Sequence, residues 1–219
     1  MKKFNDILKQ DWYVLIIILA GFIIGAVFYP RLPERVPIHW DMSGNVNGYG
    51  SKMTAAFLLP LINLGVYLLM LVSPKIDPRA KNYEKFKGSY QIIKCIPIAI
   101  LMIAQISSLL FAVGFKVNIA MVSQIALSLM FIIIGNVMGR FRHNYFVGIR
   151  TPWTLANEEV WRKTHRFSGP VWVLGGLADL VLTLAAVRYQ TIGFVIILAV
   201  MVIVPVVYSY LVFRRINSR

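Results

Sequence analysis

The first long apolar stretch of the sequence reads Trp12-Tyr-Val-Leu-Ile-Ile-Ile-Leu-Ala-Gly-Phe-Ile-Ile-Gly-Ala-Val-Phe-Tyr29 and contains no charged residue. A helix needs about 20 apolar residues to cross the hydrocarbon core of a bilayer. Five further stretches have comparable length and apolar character: Thr54–Ser73, Gln91–Phe115, Ile119–Gly139, Pro170–Val187 and Gln190–Phe213. The sequence therefore predicts an all-α polytopic membrane protein with about six transmembrane helices.

The composition agrees with a lipid environment. Hydrophobic side chains make up 58% of the 219 residues, which is more apolar surface than a soluble domain of this length can bury. The formal net charge of +14 would suggest a nucleic-acid partner in a soluble protein. Because the positive charge follows the membrane topology, as described next, no nucleic acid is needed to explain it.

Lysine and arginine accumulate on one side of the predicted bundle. Of the 23 such residues, 17 lie in the N-terminus, the second and fourth loops and the C-terminus, and 5 lie in the other three loops. The positive-inside rule then places both termini in the cytoplasm. The predicted organisation is an N-terminus and first span (1–29), an extracellular loop (30–53), spans two to four (54–139), a cytoplasmic segment (140–169), and spans five and six with the C-terminal tail (170–219).

The extracellular loop has a defined local pattern. Prolines favour an extended first half, and Gly44 with its neighbouring asparagines and glycines favours tight turns in the second half. His39, Trp40 and Asp41 could present an imidazole, an indole N–H and a carboxylate to a ligand. In the alternative interpretation, the tryptophan seats the loop at the membrane interface and the other two side chains cap turns.

The cytoplasmic segment contains a predicted amphipathic helix. Thr151 followed by Pro152, or alternatively Thr154, is a suitable start, and Gly169-Pro170 is a suitable end. One predicted stripe consists of Trp153, Val160, Thr164 and Phe167, and the opposite side pairs Glu158 with Arg162 and Glu159 with Lys163. Such a helix lies on the inner membrane face or against the bundle. It is either an anchored connector or part of a functional surface.

Helical periodicity does not explain the dense run of residues ahead of that helix, which are Asn144, Gly148, Arg150, Thr151, Pro152 and Trp153. An arginine buried between an asparagine and turn-forming residues is suited to holding a fixed loop shape or to gripping a carboxylate. We therefore expect Arg150 to be buried.

Asp179 lies near the middle of the fifth span, where an ionised carboxylate is costly. It must be protonated, paired or hydrated. Lys94, inside span three, is a candidate partner, and interhelical hydrogen bonds could come from Asn63, Gln105, Gln124 or Asn136. Two interpretations are open, a proton-transfer or sensing site and a polar contact between helices.

The sequence offers little for catalysis. The predicted topology places His39 outside and both His143 and His165 inside, so the three histidines cannot meet in one metal site. The nucleophile-elbow, zinc-protease, phosphate-loop and dithiol motifs do not occur. We expect no enzyme activity and no cofactor or metal.

The run from Asn144 to Gly169 resembles the signature of the SdpI family, particularly in Gly-Ile-Arg-Thr-Pro-Trp-Thr and in the spacing of Trp161 and His165. The preceding stretch from Leu32 to Lys52, with Pro-Ile-His-Trp and Gly-Asn-Val-Asn-Gly, is similar to a small domain of unknown function found in many members. The resemblance implies a bacterial cell-membrane protein that confers immunity to a secreted peptide toxin. It also implies signalling, in which the cytoplasmic motif draws a repressor protein to the membrane.

The resulting functional prediction is an immunity protein whose partners are the lipid bilayer, an extracellular peptide toxin and a cytoplasmic repressor. The competing hypothesis is a small proton-coupled or solute transporter that uses Asp179. In the first hypothesis the signal depends on the motif residues; in the second, flux depends on the intramembrane carboxylate.

Overall fold

A computed structural model describes residues 4–186 and 189–218, with side chains described from residue 10 onward. Within these ranges the chain forms seven α-helices: α1 (Phe4–Phe28), α2 (Lys52–Ile76), α3 (Lys87–Ala112), α4 (Ile119–Met138), α5 (Pro152–Ala156), α6 (Glu158–Leu184) and α7 (Gln190–Asn217). Six of them are long and apolar enough to cross a membrane. The predicted multi-pass helical membrane fold is therefore confirmed. Val187, the predicted end of span five, and Arg188 lie outside the described residues.

The loop between α1 and α2 departs from a purely helical fold. It forms an antiparallel pair of strands, β1 (Val36–Trp40) and β2 (Val46–Gly50), in which Val36 pairs with Gly50 and Trp40 with Val46. The extended, β-branched first half and the turn at Gly44 are the two sequence features that a hairpin needs. We call residues 36–50 the hairpin.

The structure has two helices, α5 and the first part of α6, where the sequence predicts one amphipathic helix. Thr151 caps α5 as one of the two alternatives predicted, but Asn157 then ends α5 and starts a new helix by accepting hydrogen bonds from the N–H groups of Glu159 and Val160. Trp153 therefore lies on α5 and not on one continuous stripe with Thr164. Of the two predicted ion pairs, Glu159–Lys163 forms at 2.8 Å.

The predicted helix end at Gly169-Pro170 is wrong, because α6 continues through both residues to Leu184. Gly169 instead allows close packing against α4, since a Cβ atom on Gly169 would lie 2.9 Å from the Gly135 carbonyl oxygen. Pro170 removes only one backbone N–H from the helix ladder. The motif segment (residues 140–169) is thus joined rigidly to a membrane-crossing helix.

The described residues divide into two compact units. One contains the chain up to Leu69 together with Lys94–Ser123, and the other contains Met70–Ile93 and the chain from Gln124 onward. The core of the first unit includes Leu32, Val36, Ala55, Ala56 and Leu109. The core of the second unit is mostly aromatic and includes Tyr83, Phe86, Tyr90, Phe141 and Trp161. The hairpin belongs to the first unit, and the motif segment belongs to the second.

Candidate functional site

Asn144 organises the first turn of the motif segment. Its fully buried side chain accepts hydrogen bonds from the backbone N–H groups of Phe146 and Val147, at 2.8 and 2.7 Å. Its amide nitrogen donates to the carbonyl oxygens of Arg142 and Val147, at 2.8 and 3.0 Å. One side chain therefore satisfies four backbone groups of a loop that has no regular ladder of its own.

Gly148 and His165 form the next contact. Gly148 has a φ of +114°, and a Cβ atom there would lie 2.3 Å from His165 Nε2. That nitrogen accepts the backbone N–H of Ile149 at 2.9 Å, while Nδ1 lies 2.8 Å from the carbonyl oxygen of Trp161. Because Nε2 accepts and Nδ1 donates, this geometry requires the neutral imidazole with its proton on Nδ1.

Trp161 lies at the centre of the motif segment. It is 1% exposed, and its Nε1 donates to the carbonyl oxygen of Phe141 at 3.0 Å. Its ring stacks on His165 with a centroid separation of 4.1 Å, and the ring of His143 lies 5.1 Å away on a tilted plane. The three rings join the beginning of the motif segment to α6.

The Thr151 turn attaches the motif segment to the last helix. Thr151 and Thr154 form a reciprocal capping box at the start of α5, and Thr154 also donates to the carbonyl oxygen of Ile149. The hydroxyl groups of Thr151 and Ser209 lie 3.1 Å apart, and the rings of Trp153 and Tyr210 lie 5.1 Å apart. The Thr-Pro-Trp-Thr sequence thus both starts a helix and holds it against α7.

The loop after α2 supplies residues that the sequence interpretation missed. Asp77 Oδ2 accepts the backbone N–H of Tyr145 at 2.8 Å and the Tyr83 hydroxyl at 2.9 Å. The guanidinium of Arg79 lies 4.8 Å from the centre of the Tyr145 ring and donates to the Leu155 carbonyl oxygen at 3.4 Å. The available signal was an Asp-Pro-Arg turn within an otherwise basic loop.

The expectation that Arg150 is buried is wrong. Its side chain is exposed, and its Nη1 donates to the backbone carbonyl oxygen of Tyr145 at 2.8 Å. Tyr145 and Phe146 are themselves 40% and 38% exposed, and Glu158 is exposed at the start of α6. The motif segment therefore combines a buried, hydrogen-bonded base with an exposed surface of two aromatic rings and a guanidinium.

His143 adds a titratable group to the buried base. It is 5% exposed, and its backbone oxygen accepts the side-chain amide of Asn82 at 2.8 Å. Burial, followed by the positive charge of Arg79, holds the pKa of His143 below its usual value. The ring is therefore neutral at neutral pH, as its position beside a guanidinium requires.

The hairpin is shaped by its own side chains. Asp41 Oδ1 accepts the backbone N–H groups of Ser43 and Asn45, at 2.8 and 2.9 Å, around the left-handed Gly44 with φ +85°. The backbone and side-chain hydrogen bonds of Asn45 are the main reasons why the pKa of Asp41 lies below its usual value. Asp41 is therefore occupied in capping the turn.

The other two predicted residues of the hairpin lie on β1. His39 is exposed and forms a hydrogen bond with the side chain of Asn47 on β2. Trp40 packs edge to face against Phe111 of α3 at 5.6 Å, and Ser108 of α3 donates to the Pro37 carbonyl oxygen. Trp40 thus seats the hairpin on the bundle. A ligand-binding role for His39, Trp40 and Asp41 stays a prediction.

Asp179 is fully buried and bonded by neutral donors. The side-chain amide of Gln124 lies 2.9 and 2.8 Å from its two oxygens, and the Ser128 hydroxyl donates at 2.6 Å. Of the amides predicted to reach it, Gln124 is the one that does. Asn136 is exposed and donates to the Ile132 carbonyl oxygen of its own helix.

Lys94, the predicted cationic partner of Asp179, instead forms an ion pair with Asp11 at 2.6 Å. The Tyr67 hydroxyl donates to the other oxygen of Asp11 at 3.2 Å, and all three side chains are buried. The prediction failed because Asp11 was placed ahead of the first span. In the structure α1 begins at Phe4, so Asp11 lies inside the helix.

Comparison with known proteins finds similarity to the same family that the motif resembles. The family model described as the SdpI/YfhL protein family matches residues 140–209, which contain the motif segment and Asp179. The chain is also 29% identical over 212 residues to the Immunity protein SdpI of Bacillus subtilis, covering 96% of this chain and 99% of that protein. The chain is therefore similar to the SdpI/YfhL protein family over the motif segment and the two helices that follow it.

Two further similarities cover only part of the chain. A model described as Domain of unknown function (DUF1648) matches residues 16–64, which include the hairpin. The Uncharacterized membrane protein YbgB of Bacillus subtilis is 36% identical over 45 residues, or 20% of this chain and half of that protein. No solved structure matches the chain significantly. Asp77, Arg79 and Tyr83 lie outside both matched ranges.

Proposed function

We propose that this protein protects a bacterium against a secreted peptide toxin that reaches the cell membrane from outside. The observation that carries the proposal is the extent of its likeness to an immunity protein, which includes nearly the full length of both chains. A likeness confined to a few transmembrane helices would reflect hydrophobic composition alone. Here it also includes the hairpin and the motif segment, the two polar regions with defined shapes.

The hairpin is the proposed surface for the toxin. Its apolar side chains Met42 and Tyr49 are 58% and 53% exposed, and Ile38 is 37% exposed. The guanidinium of Arg35 lies 5.3 Å from the centre of the Tyr49 ring. Exposed apolar groups beside a positive charge suit a membrane-active peptide, whose apolar face must leave water to bind.

The motif segment is the proposed signalling surface. Its exposed group of Tyr145, Phe146 and Arg150 is enriched in the residue types that dominate protein interfaces. These side chains rest on a base fixed by Asn144 and Asp77, so little ordering is needed when a partner binds. We propose that a cytoplasmic repressor binds here when the toxin is present.

The experiment expresses the full chain in a toxin-sensitive bacterium that also carries a repressor-controlled reporter. The wild type is expected to raise survival under peptide toxin. Arg150→Gln is expected to reduce reporter output while survival is kept, whereas Arg142→Gln, a change at another exposed arginine of the motif segment, leaves both unchanged. The immunity proposal would be refuted if cells that express the wild type survived no better than cells without the protein across a panel of membrane-active peptides.

The transporter hypothesis depends on a proton-exchanging Asp179. Gln124 and Ser128 of α4 donate hydrogen bonds to both carboxylate oxygens of Asp179 on α6. We therefore propose that Asp179 stabilises the contact between these two helices. Proton or solute flux in vesicles that Asp179→Asn abolishes, while the variant keeps its wild-type melting temperature, would favour transport over this proposal.

A further inference from the structure

A polar groove lies between the C-terminal part of α7 and the N-terminal part of α6. It has a volume of about 430 Å³ and is lined by Glu159, Lys163, Tyr208, Val212, Arg215 and Ile216. The four residues from α7 follow a helical spacing that places them on one face. This volume falls within the range of small-ligand sites.

The charges of the groove favour an anion. Glu159 is already paired with Lys163 at 2.8 Å, and both side chains are almost half exposed. Arg215 contributes a second cation, so the lining carries a net positive charge. The ammonium of Lys163 can donate three hydrogen bonds, which leaves donors for a ligand after the contact with Glu159.

The position of the groove identifies the source of that anion. Residues 191–213 of α7 contain no charged side chain, and Arg214 and Arg215 follow immediately. Tyr208 stacks on Phe167 with a centroid separation of 4.1 Å, so an aromatic pair lies on the apolar side of the groove. Aromatic residues followed by cations mark the level of the lipid headgroups.

We propose that this groove binds the headgroup of an anionic phospholipid. Lys163 and Arg215 contact the phosphate, and Val212, which lies one turn nearer the apolar part of α7 than Ile216 does, contacts the beginning of the acyl chains. A lipid fits better than a soluble anion because the lining combines cations with aliphatic side chains at the level where phosphate and hydrocarbon meet. Lipid bound here would bridge α6, which carries Trp161 and His165 of the motif segment, and α7.

The test measures lipid retained by the purified full-length protein in native mass spectrometry, with phosphatidylglycerol and phosphatidylcholine offered separately. The wild type is expected to retain phosphatidylglycerol preferentially. Lys163→Gln and Arg215→Gln are each expected to weaken that retention about fivefold. Arg162→Gln is the matched control, because it removes the same charge from α6 at an exposed residue outside the groove lining.

Three results would overturn the proposal. These are equal retention of the two lipids, an equal loss in Arg162→Gln, and displacement of phosphatidylglycerol by millimolar inorganic phosphate, which would indicate a soluble-anion site. A second measurement needs no variant. Phosphatidylglycerol is expected to raise the melting temperature of the wild type more than phosphatidylcholine does, and equal shifts would count against a specific site.

Discussion

The hairpin and the motif segment are both polar connections between membrane-crossing helices, yet they are held in shape differently. The turn of the hairpin is fixed by short-range hydrogen bonds, such as those that Asp41 accepts from the backbone N–H groups of Ser43 and Asn45. The motif segment depends on buried side chains distant in sequence, including Asp77 and His165. We therefore expect a substitution in the hairpin to have a local effect, whereas one in the motif segment affects α6 as well.

The largest expected effect comes from Gly148→Ala in the motif segment. The added methyl would collide with His165 at a backbone conformation that alanine rarely adopts. Strain and the lost hydrogen bond to Ile149 together predict a loss of about 3 kcal/mol or more in unfolding free energy. Thermal unfolding of the purified protein measures this loss.

The matched control for that substitution is Gly139→Ala, where the nearest atom to the new methyl lies at an ordinary 3.7 Å. Gly139→Ala is expected to change stability little. Equal stability of the two variants would contradict the claim that the motif segment is tightly packed at Gly148.

Features of the fold that depend on neighbouring residues could be predicted from the sequence, and features that depend on distant partners could not. Hydropathy placed six helices correctly because lipid imposes a length on every span. The turn at Gly44 was predicted because it depends on neighbouring residues. The roles of Asp77 and Asp11 were missed because their partners lie far away in the sequence. The sequence predicts a helix end at Gly169 because the residue it packs against, Gly135, is on another helix.

Asn144→Ala is the next largest expected effect. It removes the hydrogen-bond partner of four backbone groups, of which the two on Val147 are buried, and this predicts a loss of about 2 to 3 kcal/mol. Asn136→Ala is the control, because that exposed amide bonds only within its own helix and the change is expected to stay within about 0.5 kcal/mol. The melting temperatures of the two variants measure these losses, and equal shifts from the wild type would contradict the proposed role of Asn144.

As the pH is lowered, the motif segment is expected to lose stability at a higher pH than the hairpin does. The folded-state pKa of His143 is lowered, so its unfolded form gains a proton first and the motif segment loses stability as pH falls from about 6.5. The pKa of Asp41 is also lowered, so its contribution to the hairpin is present above pH 3.8 and is lost as pH falls through its folded pKa. Hydrogen exchange, corrected for intrinsic rates, should show the motif segment opening first.

The control for the pH experiment is His143→Gln, which is expected to remove part of the loss of stability below about pH 6.5 in the motif segment alone. Simultaneous opening of both regions in the wild type would contradict the different roles assigned to the two side chains.

The smallest expected effect is that of Asp41→Ala. It removes the acceptor of two backbone N–H groups, so exchange should increase between Asp41 and Asn45. Exchange in the motif segment and the melting temperature of the protein should stay at wild-type values. Increased exchange in the motif segment would show that the two regions are not independent.

The central claim is that the hairpin meets the outside of the cell while the motif segment faces the cytoplasm. In a Cys95→Ser background, single cysteines replace Met42 and Glu158, which are both exposed. A membrane-impermeant maleimide applied to intact cells is expected to label Met42→Cys at once, and Glu158→Cys only after the membrane is opened. Labelling of Glu158→Cys in intact cells would contradict both the toxin surface and the cytoplasmic signal.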